Sequence, residues 1–190
     1  PNQTQKVAKK KNVGFAKSSL PKCIGSDDSK YTNCYGIYSN KIVAPGYTRN
    51  FEGEYGKIPG KREGRGSGTV YKEGKFFFSF IREYKNGKSY FGKEEWSTGF
   101  KYKGEYKNGI ASFGELTYPA AEKCCAIYRG EFNVEGKPIG FARLTDTKDY
   151  TVFVGDVIDG LKSHGLGFGY RDNKKQFAAI FENDIPRKGI

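Results

Sequence analysis

Ser163 and His164 are the first residues to weigh for chemistry, because His164 is the only histidine in the chain. A histidine acting as general base needs a nucleophile and an orienting group beside it. Neighbours on a strand point to opposite faces, so the pair reads as structural or solvated. Acidic residues recur at Glu54, Glu83, Glu105, Glu131 and Asp156. Repetition at regular intervals argues for a lattice role, with carboxylates paired to Lys or Arg across strands. Calcium would need several carboxylates in one cluster, and this row supplies one at a time. The run Gly64-Arg65-Gly66-Ser67-Gly68 lacks the Gly-x-x-x-x-Gly-Lys-Ser/Thr order that a phosphate loop requires ahead of a helix. Its glycines alternate with period two, as in a strand. No catalytic set, cofactor site or metal site is expected, and the chain does not read as an enzyme.

The elements that must position these residues are repeats. A unit written aromatic-x-Gly-Glu-aromatic, then a turn with Gly, then another Gly, starts at Phe51, Phe80, Tyr102, Tyr128, Phe153 and Phe177. A closing glycine follows twelve residues on at Gly92, Gly114, Gly140, Gly165 and Gly189, and one residue later at Gly64 in the first copy. Constant spacing of this kind marks an array. Side chains alternate along a strand, so Tyr102, Gly104 and Tyr106 share one face and Lys103, Glu105 and Lys107 the other. Asn86-Gly87 and Asn108-Gly109 supply the positive φ of a tight hairpin turn. A second strand follows, with Gly114, Leu116 and Tyr118 on one face. Each copy is a predicted hairpin in which a ring lies over bare glycine backbone. Gly53, Gly104, Gly130 and Gly155 are the expected glycines, with Tyr106, Phe132 and Phe153 as ring partners. Twenty-six glycines spread through 190 residues exclude a helical fold. Stacked hairpins would bury a shared ribbon of rings.

The unit Tyr102-Lys103-Gly104-Glu105-Tyr106-Lys107-Asn108-Gly109, with Ser163-His164-Gly165-Leu166-Gly167-Phe168-Gly169, resembles MORN repeats (membrane occupation and recognition nexus) over roughly residues 35–190. The resemblance implies an all-β fold: a single elongated antiparallel sheet of stacked hairpins, twisted into a trough. Arg82 and Ala179 depart from it by replacing the first Gly, and Ile180 by replacing the Glu. The copy at Phe177 reads as a terminal cap. The segment around Cys23 and Cys34 is similar to the leading segment of exported bacterial MORN proteins, in which paired cysteines precede the first strand. That implies a Cys23–Cys34 disulfide, with two buried free thiols as the alternative. Cys124 and Cys125 are adjacent; a bridge between them needs a strained turn, so one inward and one outward thiol is the expectation. Zinc would need a second Cys or His pair nearby.

Three regions follow: a basic tail over 1–22, a Cys-bounded leading loop with a first partial hairpin over 23–50, and the array over 51–190. The net charge is +12, from 33 basic against 21 acidic residues. Lys6, Lys9, Lys10, Lys11, Lys17 and Lys22 carry half of that excess in a leader without acids. Such a leader suits an anionic partner, with a solvated tail as the bland alternative, and a Lys-rich tail is ordered only where an assembly holds it. No apolar run is long enough to span a bilayer. The chain has no Met and starts at Pro1, which leaves room for a removed leader. Lysines interleave with rings, as in Phe100-Lys101-Tyr102-Lys103. They alternate across opposite faces, which argues against nucleic acid. The expected function is a non-enzymatic scaffold or protein-interaction subunit, exported or periplasmic, docking a protein partner or a second copy within a larger assembly. The alternative is a peripheral membrane protein whose Lys-rich N-terminus binds anionic phospholipid.

Overall fold

The computed structural model describes residues 18–119, 127–146, 151–158, 161–171, 174–183 and 185–189. Lys6, Lys9, Lys10, Lys11 and Lys17, and the Cys124–Cys125 pair, lie outside these residues. Apart from one short 3-10 turn at Asp28–Lys30, the described elements are strands. These are β1 (Cys34–Ala44), β2 (Tyr47–Tyr55), β3 (Arg62–Lys72), β4 (Lys75–Lys85), β5 (Lys88–Trp96), β6 (Lys101–Lys107), β7 (Ile110–Thr117), β8 (Ile127–Phe132), β9 (Pro138–Asp146), β10 (Thr151–Ile158), β11 (Leu161–Arg171), β12 (Lys174–Glu182) and β13 (Ile185–Gly189). They form one antiparallel sheet whose spatial order is the sequence order, and it does not close into a barrel. Opening strands of the six copies are β2, β4, β6, β8, β10 and β12. β1 precedes them and pairs with all of β2, which begins at Tyr47, before the first copy's Phe51.

The turns follow from residues that tolerate positive φ. Asn86-Gly87 and Asn108-Gly109 adopt it at both positions, and so does Glu73-Gly74, where a Glu occupies the first.

A sheet with one covered face must hide its side chains within its own plane, and glycine makes that possible. Tyr102 lies flat over Gly104 and the facing Gly114. Its hydroxyl reaches past them to the carbonyls of Glu105 (2.6 Å) and Phe113 (3.1 Å). Tyr128 repeats the arrangement over Gly130, reaching Glu131 (2.5 Å) and Ile139 (2.9 Å). Phe51 covers Gly53 and Gly66, and Phe153 covers Gly155 and Gly165. The ring over each glycine is therefore the first aromatic of the copy. Tyr106 and Phe132 instead stand edge-on against neighbouring rings: Tyr102–Tyr106 at 5.3 Å, Tyr102–Phe132 at 5.5 Å and Tyr128–Phe132 at 5.1 Å. Edge-to-face pairs at such distances add to the stabilisation from buried area.

Two of the expected closing glycines have a different job. Gly64 and Gly140 both have φ of +69° and sit at register shifts between β2 and β3 and between β8 and β9. These are bulges, where a left-handed glycine absorbs the extra residue. Gly66 faces Gly53, and the Ala142 methyl abuts Gly130.

The rings form two clusters. Tyr31, Phe51, Tyr55, Phe80 and Tyr84 anchor the first; Tyr102, Tyr106, Tyr128, Phe132 and Phe153 anchor the second. The first is closed at its outer end by the leading segment. Cys23 and Cys34 stand at disulfide distance with Cα atoms 4.9 Å apart. Residues 21–23 pair with the free edge of β1 through Tyr35 N–H to Pro21 (2.8 Å) and Cys23 N–H to Tyr35 (2.9 Å). Closing a loop of this size contributes about 3 kcal/mol.

A side chain at residue 104 has nowhere to go: its Cβ would meet the Phe113 carbonyl oxygen, the Tyr102 hydroxyl and the Gly114 Cα. Gly104→Val is expected to destabilise the fold by about 1–3 kcal/mol, read as a lowered midpoint in urea unfolding.

Candidate functional site

The reading that bases and rings occupy opposite faces holds on β6, where Lys101, Lys103 and Lys107 are exposed and Tyr102 and Tyr106 buried. It fails elsewhere. The Arg62 guanidinium lies 4.3 Å from the Phe51 centroid and 5.4 Å from that of Tyr84. Arg82 lies 4.9 Å from the rings of both Phe80 and Tyr106. Lys162 sits 4.8 Å from Phe181. The ring face is thus a mixed surface of aromatics and cations. The physical reason is register: Arg82 alternates with Phe80 and Tyr84 on β4, Arg62 is paired with Tyr55 and Lys162 with Val157, so all three start from the ring face.

Arg82 shows this best. It replaces the first Gly of its copy and lies in register between Gly66 and Gly92, so nothing on either flank obstructs it. Its guanidinium pairs with Glu94, which also accepts from the Tyr106 hydroxyl at 2.7 Å. Glu94 is only 8% exposed. Burial first, and then the Glu94 charge, pushes the Tyr106 phenol far above its ordinary range. Arg82 touches Phe80 of the first ring cluster and Tyr106 of the second, so this ion pair is the seam between them.

Arg62 has a different environment. Its Nη2 donates to the Tyr38 hydroxyl at 3.1 Å, and no carboxylate pairs with it among the described residues. The Tyr84 hydroxyl is buried without a hydrogen-bond partner, and the Tyr55 hydroxyl, buried too, has only the Arg62 guanidinium beside it, short of good hydrogen-bond geometry. Burial pushes the Tyr55 phenol up to about 12.

The acidic row lies on the opposite, outer face, but its expected pairing across strands is largely absent. Glu83 meets Arg65 at 3.8 Å. Glu54 instead accepts from the Ser18 hydroxyl at 2.6 Å and the Arg65 N–H at 3.4 Å. Glu105, Glu131 and Asp156 have no ion pair among the described residues. What faces them is aromatic: Phe91 lies between Glu83 and Glu105, Phe113 between Glu105 and Glu131, and Phe141 opposite Asp156. These three phenyls are 38%, 53% and 69% exposed. At the leading end, a cleft of about 570 Å³ is lined by Leu20, Glu54, Tyr55, Ile58, Lys61 and Glu63, among others.

Ser163 Oγ lies 2.9 Å from His164 Nδ1, so these neighbours do meet; a rotatable imidazole turns back to a short hydroxyl beside the backbone. Glu182 is the cross-strand partner of His164, yet its carboxylate goes to Arg187 at 3.1 Å. No carboxylate orients the imidazole among the described residues, nor does any group of three metal-ligating side chains occur among them.

No family model matches the chain, and a search of curated proteins finds no match either. The functional reading therefore rests on the residues and their placement. Sequence reasoning missed Arg62, Glu94 and Tyr84. Arg82 alone carried a signal, as a break in the repeat.

Removing one member of a buried ion pair leaves the other charged and unpaired. Glu94→Gln is expected to cost about 3 kcal/mol, while Arg82→Met with Glu94→Leu together should cost less than Glu94→Gln alone, both read by urea denaturation.

Proposed function

We propose that this chain is a non-enzymatic scaffold of the MORN-repeat type that docks a protein partner or a second copy through its sheet. The observation that carries this reading is the outer-face row of exposed Phe91, Phe113 and Phe141, interleaved with carboxylates across successive strands. Exposed apolar groups aligned in a patch with a polar border are what interaction surfaces present. The ring face directs its aromatics into its own two clusters, which leaves the outer face as the one with apolar groups to bury. A Cys23–Cys34 pair at disulfide distance supports an oxidising compartment, periplasmic or extracellular, for this scaffold.

A second reading, attachment to anionic phospholipid, is favoured by the net charge of +12 and the six lysines of residues 1–22. Each lysine near such a surface contributes about 1 kcal/mol.

Light scattering over a concentration series tests the scaffold, with Phe113→Ser/Phe141→Ser as the comparison. Self-association or a complex that the double variant loses supports it. A compact monomer that retains no partner better than the double variant does would count against it. Co-sedimentation with phosphatidylserine vesicles, lost on deleting residues 1–17, would favour the lipid reading instead.

A further inference from the structure

We propose that Arg62, with the hydroxyls of Tyr38, Tyr55 and Tyr84, is a binding site for a tetrahedral oxyanion, a phosphate or sulfate group, on the ring face near the leading end of the sheet. Three strands and the start of a fourth assemble it. Tyr38 comes from β1, Tyr55 from β2, Arg62 from the start of β3 directly opposite Tyr55, and Tyr84 from β4 opposite the bulge glycine Gly64. That bulge gives the sheet room for Arg62 to fold back over Phe51, where it lies 4.3 Å from the ring centroid and half-buried.

The cluster is rich in donors and short of acceptors. A guanidinium offers five N–H groups and accepts nothing. Its Nη2 donates to the Tyr38 oxygen, which leaves the Tyr38 hydrogen unspent. The Tyr84 hydroxyl is buried with no partner; the Tyr55 oxygen lies beside the Arg62 guanidinium, which can only donate to it, so the Tyr55 hydrogen is unspent as well. The carboxylates that could answer these donors are engaged elsewhere. Asp28, whose charge is felt at Tyr55, pairs with Lys41; Glu94 pairs with Arg82 and Tyr106. A buried hydroxyl without a partner calls for an explanation, and a ligand made of acceptor oxygens with negative charge supplies one. Guanidinium recognises such groups through paired N–H bonds. Three phenol hydrogens beside it suit an oxyanion with three or more oxygens better than a carboxylate with two. Arg62 is half-buried as a residue, and moving its guanidinium off the Phe51 ring is the displacement by which a ligand would reach the phenols.

The site stands apart from the outer-face row that carries the scaffold reading, so either can fail without the other. Calorimetric titration of the full chain with inorganic phosphate, phenyl phosphate and acetate, with melting temperature followed in parallel, tests it. Phosphate is expected to bind and raise the melting temperature, and acetate to do neither. Tighter binding of phenyl phosphate would place the group on a larger molecule, and equal binding would point to the free ion; both support the site. Arg62→Gln should weaken phosphate binding roughly tenfold or more, the loss of a charge-assisted contact. Tyr84→Phe removes a hydroxyl that has no partner in the free protein, so it should leave the ligand-free melting temperature unchanged or higher while weakening phosphate several-fold. The proposal is overturned if phosphate does not bind, if acetate binds as well as phosphate, or if Arg62→Gln and Tyr84→Phe bind it like the parent chain.

Discussion

The structure depends on one constraint: with no second layer among the described residues, a single sheet has to cover its aromatic side chains from within. Rings standing upright on such a sheet would meet water on every side. They lie down instead, over a glycine of their own strand and beside a facing residue that is glycine or no larger than the Ala142 next to Gly130. Tyr102 over Gly104 and Gly114, and Phe153 over Gly155 and Gly165, are the pure form of this device. It explains how Tyr128 reaches 0% exposure in a protein whose described strands make one layer. Once the first ring of a copy is flat, the second aromatic fills the remaining space edge-on, and the copies lock sideways into clusters. The hydroxyls of Tyr102 and Tyr128 add a clasp, since each reaches a backbone carbonyl that the local register leaves open.

Where the constraint is relaxed, polar chemistry enters. Arg82 takes a glycine's place between Gly66 and Gly92, and no ring of its own copy can then lie flat across that position. A guanidinium fills the gap, is neutralised by Glu94, and joins the two ring clusters through a buried network. Such a pair contributes little net stability compared with apolar packing but penalises any arrangement that separates its members. The seam is therefore better understood as fixing how the two halves of the ring layer meet. Arg62 lies near another irregularity, the bulge at Gly64, and among the described residues it has no neutralising partner such as Arg82 has.

The two faces consequently differ in what they leave unsatisfied. On the ring face, apolar surface is consumed internally and the unmet groups are hydrogen-bond donors. On the outer face, phenyls and carboxylates alternate from strand to strand with few cations answering them directly. The leading edge is handled separately: residues 21–23 occupy part of the β1 backbone, and the Cys23–Cys34 link holds them there. Covering part of an edge in this way blunts its tendency to pair with other strands.

Much of this was legible in the residues. Period-two alternation on β6, the Asn-Gly turns and the placement of glycine two residues after an aromatic all follow from local backbone rules, so hairpins in sequential order were determined by the sequence itself. Phe153 does cover Gly155, but the rings over Gly104 and Gly130 are Tyr102 and Tyr128 in place of Tyr106 and Phe132, because which of two nearby aromatics lies flat depends on the facing strand. Gly140 matched its counterparts by spacing and Gly64 fell one residue late, yet only the register shifts show both to be bulges, and register is a property of two strands together. Tyr84 is the second aromatic of the copy at Phe80, but Arg62 and Glu94 sit in unremarkable contexts that no local rule marks. That Arg62 meets Tyr84, and Glu94 meets Arg82 and Tyr106, is decided by lateral contact between strands, because a long side chain settles wherever the neighbouring strand leaves room.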